Sequence, residues 1–183
     1  MLHIPPSERL CYSLLSEHDA DLLLDIDQDE EVMRFINGGH KSTIEDIRQF
    51  ILPRMARYYN PPKGWGIWQV RRLEDQQYLG WVLIRPMDFL SDAPAAAELE
   101  IGWRFKRCFW GQGYASEAAQ AVSDTVLAAD PAVRYLSAIA MPDNHASVGV
   151  MKKLGLVFER RGSHRDARGQ DVDVVFYRKV LQP

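Results

Sequence analysis

The most constraining feature of the chain is a predicted strand that runs through a short glycine-containing loop into a predicted helix. Apolar and polar residues alternate from 97 to 105, and the helix is expected from 114 to about 128. Gly111 and Gly113 lie between them, where the absence of a Cβ lets a ligand approach the backbone closely. Such a loop points several N–H groups and the positive end of a helix dipole at one place, which is typical of a phosphate site.

The loop matches neither of two widespread nucleotide-binding patterns. No Gly-Lys-Ser or Gly-Lys-Thr follows it, as a Walker A loop requires, and Ser116 stands where a dinucleotide-binding fingerprint has its third glycine. A lone Gly-x-Gly is more often a tight turn before a helix than a binding site. The interpretation therefore depends on a second segment, residues 142–147, and the helix that follows it.

Length and composition are those of one ordinary globular domain. The chain has 183 residues, of which 46% are hydrophobic and 26% charged, with a formal net charge of −3. These values favour a single domain over residues 1–183 and argue against broad nucleic-acid or membrane binding. No apolar stretch approaches the ~20 residues that span a bilayer, and no signal-peptide pattern is present at the start. Cys11 and Cys108 form no C-x-x-C pair, so we expect a reduced cytoplasmic protein without a structural metal.

Patterning along the chain predicts a mixture of strands and helices, with hairpins at both ends. Strands are expected at 9–15, 65–72, 78–85, 97–105, 133–140, 157–163 and 172–179, and helices at 19–27, 42–58, 114–128 and 147–154. Ser42 and Glu45 resemble a capping box at the start of the second helix, although Pro53 should kink that helix or end it early. Loops are expected at 87–94 and 165–170.

Three short motifs together resemble those of the Gcn5-related N-acetyltransferase (GNAT) superfamily. They are Trp-Gly-Gln-Gly-Tyr-Ala-Ser-Glu-Ala at 110–118, Asn-His-Ala-Ser at 144–147 and Lys-Leu-Gly at 153–155. The likeness covers almost the whole chain, including Glu8-Arg9-Leu10, and is greatest to the RimJ/RimL-type branch of ribosomal-protein N-terminal acetyltransferases. It implies an α/β domain with a central mixed sheet of about seven strands flanked by helices. It also implies that the strand ending near Arg104 splays away from strand 133–140, with the pantetheine arm of coenzyme A in the gap.

The resemblance assigns the binding of the coenzyme to the loop and to the second motif. The backbone amides that would hold the pyrophosphate belong to Trp110, Gly111, Gln112, Gly113, Tyr114 and Ala115. Asn144 would hydrogen-bond the pantetheine or help to hold the site. An asparagine at this position also suits the N-cap of a helix.

Two kinds of side chain are candidates for the chemistry. Many members of the superfamily place a tyrosine seven residues after the asparagine, but this chain has Met151 there, so Ser147 is the candidate donor to the departing thiolate. Its alternative role is to satisfy a backbone N–H in the first turn of a helix. Glu100, or else Glu98 on the same strand face, could take the proton of the attacking amine or orient that amine. An exposed carboxylate without a catalytic role is an equally supported alternative.

Two further side chains near these motifs are given no catalytic role. Cys108 is expected to be a partly buried, inert thiol, because nothing supplies the histidine that would activate it as a nucleophile. His145 is expected to be exposed at the surface.

The resemblance thus predicts transfer of an acetyl group from acetyl-coenzyme A to a primary amine, by direct attack in a ternary complex. The acceptor would be a protein N-terminus or a small-molecule amine such as a polyamine or an aminoglycoside. No nucleic-acid or membrane partner is implied, and a homodimer is left open. The alternative is a non-catalytic protein of the same fold that binds or senses acyl-coenzyme A, which the absence of the tyrosine favours.

Overall fold

A seven-stranded mixed sheet forms the centre of the structure, a computed structural model that describes residues 1–91, 94–165 and 170–181, with the backbone alone at residue 96. The strands are β1 (Leu10–Leu14), β2 (Gly66–Arg72), β3 (Tyr78–Met87), β4 (Ala95–Phe105), β5 (Tyr135–Ala140), β6 (Val157–Arg165) and β7 (Asp171–Val180). They lie in the order β1-β2-β3-β4-β5-β7-β6, in which β4 and β5 are parallel and the other neighbours antiparallel. The predicted fold class is confirmed; residues 92–93 and 166–169 of the two predicted loops lie outside the described residues.

Helices cover the sheet on both faces. They are α1 (Ala20–Ile26), α2 (Glu30–Asn37), α3 (Ile44–Asp46), α4 (Leu52–Ala56), α5 (Tyr114–Ala129) and α6 (His145–Lys153). On one face Leu99 and Ile101 of β4 pack with Ala118 and Val122 of α5 in the largest apolar cluster. A second cluster on the other face joins side chains of α1, α4 and β3. Burial of each large aliphatic side chain contributes about 1.5–3 kcal/mol, so packing against α5 fixes the position of β4.

The strands β4 and β5 separate after a short stretch of pairing. Their register joins Glu98 to Tyr135 and Glu100 to Ser137, yet β4 continues to Phe105 and β5 to Ala140. The splay predicted from the resemblance is therefore present. It opens a gap at the end of β4 that leads into the glycine loop.

The helix α2 was not predicted from the sequence. The carboxylate of Asp29 caps its first turn by accepting from the N–H of Glu31 at 2.9 Å, and Gly38 ends it in the left-handed conformation with φ of +79°. Its buried residues Val32 and Met33 face the rest of the domain. The helix matters for function because it forms one wall of the cavity described below.

The predicted capping box lies one residue further along the chain. The hydroxyl of Thr43 accepts from the N–H of Asp46 at 3.1 Å, and the Asp46 carboxylate accepts from the N–H of Thr43 at 2.8 Å. Ser42 instead donates its hydroxyl to the buried carboxylate of Asp27 at 2.6 Å. A buried carboxylate needs hydrogen-bond donors, and this demand draws Ser42 away from the helix.

The helical segment continues past Pro53 rather than ending early. Residues 47–51 form one wide π-helical turn, in which the N–H of Leu52 donates to the carbonyl of Ile47. Pro53 consequently lies in the first turn of α4, where a missing N–H leaves no helical hydrogen bond unmade. The prediction of a premature end was wrong because the wider turn accommodates the proline ring.

No helix in the described part of the chain has the length and apolar character that a membrane crossing needs.

Candidate functional site

A cavity of about 350 Å³ opens between the end of β4, the loop that follows it, and the first turns of α5 and α6. Most of the predicted site residues line it: Trp110, Gly111, Gly113, Tyr114, Ala115, Asn144 and Ser147. Trp103, Arg104 and Phe105 line it from β4, so the cavity lies in the gap where β4 leaves β5. The fold thus brings the glycine loop and the second motif together in one place.

Both loop glycines adopt backbone conformations that L side chains disfavour. The φ angle is +74° at Gly111 and +83° at Gly113, and Gly113 is the N-cap of α5. A Cβ built on Gly111 would meet nothing within 4 Å. Gly111 therefore meets two needs: the left-handed turn and an open approach to the amides at the start of a sixteen-residue helix.

The side chains of the loop stabilise its path. The indole N–H of Trp110 donates to the carbonyl of Phe105 at 2.8 Å, which ties the loop to the end of β4. The side-chain amide of Gln112 donates to the carbonyl of Cys108 at 2.9 Å, and Gln112 does not line the cavity. The thiol of Cys108 is exposed rather than partly buried, because Phe109 takes the inward position of this short helical turn.

Asn144 caps α6 and holds Ser147 at the edge of the cavity. Its side-chain oxygen accepts from the N–H of Ser147 at 3.1 Å, so the capping role is present. The NH₂ group of the same side chain is not used by this bond and remains a donor for a ligand. Among the described residues, no hydrogen bond engages the hydroxyl of Ser147, which leaves it available to the cavity.

The position seven residues after Asn144 takes no part in the cavity. Met151 is fully buried in the large apolar cluster under the sheet. His145, by contrast, is exposed as predicted and also lines the cavity. Of the two positions, only Ser147 lines the cavity and carries a group that can donate to a leaving thiolate.

Glu100 pairs with an arginine on the neighbouring strand. The Nε and Nη2 groups of Arg85 donate to its two oxygens at 2.9 and 3.0 Å, because the register of β3 and β4 sets these residues opposite each other. The guanidinium lies 4.2 Å from the ring centre of Phe89 and 5.3 Å from that of Tyr58. Burial opposes the charge on Arg85, but Glu100 raises its pKa above the usual value. The pair is therefore a fixed charge pair between β3 and β4.

Glu98 has a different and fuller set of partners. It accepts from the hydroxyl of Ser137 at 2.6 Å and from the guanidinium of Arg178 at 3.0 and 3.1 Å. Both carboxylates are only 14% exposed, so neither is the exposed strand residue that the alternative described. Neither one lines the cavity, and their catalytic roles stay predictions.

One wall of the cavity had no counterpart in the sequence predictions. Phe35 and Ile36 of α2 line it, together with Arg104 of β4. Arg104 is held by an ion pair with the buried carboxylate of Asp27 and lies 5.0 Å from the ring centre of Trp81. The caps of α2 were visible in the sequence, and they were the signal that could have revealed this wall.

The lining suits an anionic ligand with an apolar arm. Lys153 and His145 line the cavity together with Arg104, whose charge is balanced by Asp27, and none of the described lining residues is an aspartate or a glutamate. Trp103 and Val150 add apolar surface. Coenzyme A combines a pyrophosphate with a flexible, largely apolar arm, so the residues present fit this group.

The chain belongs to the GNAT acetyltransferase family. A family model described as an acetyltransferase (GNAT) domain matches residues 9–157, which include the loop, the splayed strands and all of α6. The predicted membership of the GNAT superfamily is thereby confirmed. Assignment to the RimJ/RimL-type branch stays a prediction.

Two curated proteins and one solved structure are similar to this chain. The Bacillus subtilis (strain 168) protein YkkB is 31% identical over 100 residues, covering 54% of this chain and 55% of its own. The FsC-acetyl coenzyme A-N(2)-transacetylase of Aspergillus fumigatus is 27% identical over 108 residues, covering 58% and 45%. The chain thus spans about half the length of these curated relatives. The structure of RimL, a ribosomal L7/L12 alpha-N-protein acetyltransferase in complex with coenzyme A, superposes with a TM-score of 0.72 at 19% identity, covering 97% of both chains.

Proposed function

We propose that the protein transfers the acetyl group of acetyl-coenzyme A to a primary amine, by direct attack in a ternary complex. The observation that carries this proposal is the single cavity shared by the glycine loop, Ser147 and the unpaired end of β4. Bound acetyl-coenzyme A would supply an activated thioester carbonyl at the splayed strands. Catalysis by this chain would then come chiefly from holding the two reactants in a productive geometry.

The loop and the second motif would hold the coenzyme. The amides from Trp110 to Ala115 would bind the pyrophosphate at the start of α5, and the NH₂ group of Asn144 would donate to the pantetheine. The edge of β4 beyond Glu100 is not paired with β5. Its N–H groups are available to polarise the thioester carbonyl, as donors of an oxyanion hole do.

Two side chains would serve the chemistry itself. Glu100 would orient the attacking amine, because Arg85 fixes both oxygens while each oxygen keeps a second lone pair for a new donor. As the C–N bond forms, the amine would lose its proton to this carboxylate, directly or through water. Glu98 is the poorer candidate because Ser137 and Arg178 together take up more of its lone pairs. The hydroxyl of Ser147 would donate a hydrogen bond to the sulfur as the thiolate leaves.

Replacing Ser147 with alanine should lower kcat roughly 10- to 100-fold and leave the KM for acetyl-coenzyme A within about twofold of the parent. The reason is that the hydroxyl would act only as the thiolate forms, whereas the N–H that Asn144 caps is kept in the variant. Steady-state kinetics with a confirmed acceptor measures both constants. Ser147→Thr, which retains a hydroxyl, should recover most of the rate, and an alanine variant as fast as the parent would remove Ser147 from the mechanism.

The acceptor class that this mechanism favours is a single α-amino group, such as a peptide N-terminus. An α-amino group has a pKa of about 7.7–8.0, so a useful fraction is neutral and nucleophilic at physiological pH. RimL, an alpha-N-protein acetyltransferase, shares the fold.

A screen of acceptors tests the proposed function. The purified protein is first titrated calorimetrically with acetyl-coenzyme A, and then incubated with it and with peptides of free N-terminus, spermidine or kanamycin. Mass spectrometry should find one added acetyl group on peptides and much less on the polycations. A folded protein that does not bind acetyl-coenzyme A would overturn the proposal.

A non-catalytic protein that binds or senses acyl-coenzyme A is the second candidate. One observation in its favour is that the buried Met151 stands where many members of the family have a tyrosine. Another is that both oxygens of Glu100 are already bonded to Arg85. This candidate predicts tight binding of acetyl-coenzyme A without transfer to any amine in the screen. Turnover of a peptide, reduced in the Ser147→Ala variant, would exclude it.

A further inference from the structure

We propose that Arg9 and Glu117 form a positioning pair that aims the amide of Gly113 into the coenzyme A site, an inference that rests on the proposed function. Arg9 lies immediately before β1, at the opposite end of the chain from the motifs of the site, and Glu117 lies in the first turn of α5. Neither residue lines the cavity, so the pair would act through the loop rather than by touching the ligand.

The two residues are joined by several strong contacts. The Nε of Arg9 donates to one oxygen of Glu117 at 2.8 Å, and the backbone N–H of Arg9 donates to the other oxygen at 2.8 Å. The hydroxyl of Ser7 adds a third bond at 2.7 Å. Burial opposes ionisation of Glu117, but the bonds from Ser7 and Arg9 hold its pKa below the ordinary value. The start of β1 is therefore fixed to the start of α5.

Arg9 also reaches past Glu117 to the loop. Its Nη1 donates to the carbonyl of Gln112 at 3.1 Å, and its guanidinium lies 4.3 Å from the ring centre of Tyr114. Its Nη2 would lie only 3.4 Å from a Cβ placed on Gly113. One side chain thus contacts Gln112 and Tyr114, the residues on either side of Gly113, in the segment that would bind pyrophosphate.

The bond to Gln112 determines the direction of the next amide. In a trans peptide the C=O of one residue and the N–H of the following residue point in opposite directions. Neither Arg9 nor Gln112 lines the cavity, so we infer that this bond holds the Gln112 carbonyl away from the cavity and turns the N–H of Gly113 toward it. Gly113 is free to adopt either sign of φ, so without Arg9 this peptide could rotate and remove a donor from the ligand.

The chain offers a closely matched control at the other end of the same helix. Lys63 pairs with Asp130, the C-cap of α5, at 3.1 Å, and Lys63 lies 4.6 Å from the ring centre of Trp65. The side chains are 46% and 16% exposed, against 40% and 17% for Arg9 and Glu117. Loss of the Lys63 pair should thus match the loss of the Arg9 pair in stability, without touching the loop.

Calorimetric titration of the full chain with acetyl-coenzyme A and with S-acetylpantetheine, which lacks the pyrophosphate, tests the proposal. Arg9→Gln should weaken acetyl-coenzyme A binding roughly tenfold, as expected for one lost charge-assisted contact. It should change the affinity for S-acetylpantetheine less than twofold, and Lys63→Gln should change neither. Arg9→Lys, which keeps the charge but not the planar fork that bridges Glu117 and Gln112, should also weaken acetyl-coenzyme A binding.

A second measurement needs no ligand. In ¹⁵N-glycine-labelled protein, Arg9→Gln should shift the amide resonance of Gly113, while Lys63→Gln should leave it in place. If the parent does not bind acetyl-coenzyme A, the proposed function fails. If the parent binds and Arg9→Gln binds equally tightly, or weakens both ligands by the same factor, only the positioning role is overturned.

Discussion

Substitution of Gly111 by glutamate is expected to weaken acetyl-coenzyme A binding at least 100-fold. The residue lines the cavity, and a Cβ at this position would meet nothing within 4 Å, so the new side chain fits sterically into the folded chain. Its carboxylate would lie beside the site for the pyrophosphate. A 100-fold loss corresponds to about 2.7 kcal/mol, less than the ~4 kcal/mol of two unit charges 4 Å apart at an effective dielectric constant near 20. Calorimetric titration measures the change directly.

Gly155→Glu separates this effect from backbone strain. Gly155 has φ of +79°, close to the +74° of Gly111, so a non-glycine residue at either position costs about 1–2 kcal/mol. The nearest atoms to its Cβ would be those of Lys179, from 3.7 Å, and the residue does not line the cavity. The control should bind acetyl-coenzyme A as the parent does. Equal affinity in both variants would mean that the glycine loop is a structural turn and not a phosphate site.

The glycine loop and the second motif could be predicted because their constraints are local. Two glycines just before a predicted helix indicate a turn whose amides are open to a ligand, although such a turn alone is more often structural. Asn144 and Ser147 are three residues apart, so their relation as cap and capped N–H follows from helix geometry alone. The family resemblance then joined two motifs that local rules could not relate.

The wall formed by α2 was missed although its signals were also local. Asp29, Glu30 and Glu31 stand in a row at its start, which is the N-cap and acidic first turn that a helix favours. The cap by Asp29 and the left-handed Gly38 were the decisive features. Short helices such as this one owe most of their stability to packing, which a sequence pattern does not reveal.

Ion pairs between distant strands could not be predicted for a different reason. The pairing of Glu100 with Arg85 depends on the register of β3 and β4, and that register shifts between Pro86 and Met87. Arg178 reaches Glu98 across 80 positions in the sequence. Such partners come together only in the assembled sheet. The sequence therefore identified the carboxylates as candidates but not the arginines that pair with them.

Glu100→Gln is expected to lower kcat about 100-fold and to lower the free energy of unfolding by about 3 kcal/mol. The kinetic loss would follow from the missing charge that orients the amine. The loss of stability would follow because Arg85, which is 13% exposed, keeps its charge without a carboxylate partner. Steady-state kinetics and denaturant titration measure the two effects independently.

A double variant distinguishes a catalytic carboxylate from a merely stabilising one. Arg85→Met/Glu100→Leu replaces the pair by apolar side chains, and such replacement of a buried pair is often neutral for stability. It should therefore regain most of the unfolding free energy lost in Glu100→Gln while its kcat stays low. Recovery of the parent rate in the double variant would show that Glu100 serves only the sheet. Glu98→Gln breaks the neighbouring pair with Arg178 and tests the other carboxylate. Comparison of kcat in Glu98→Gln and Glu100→Gln should then decide between the two, because the larger fall identifies the carboxylate that faces the amine.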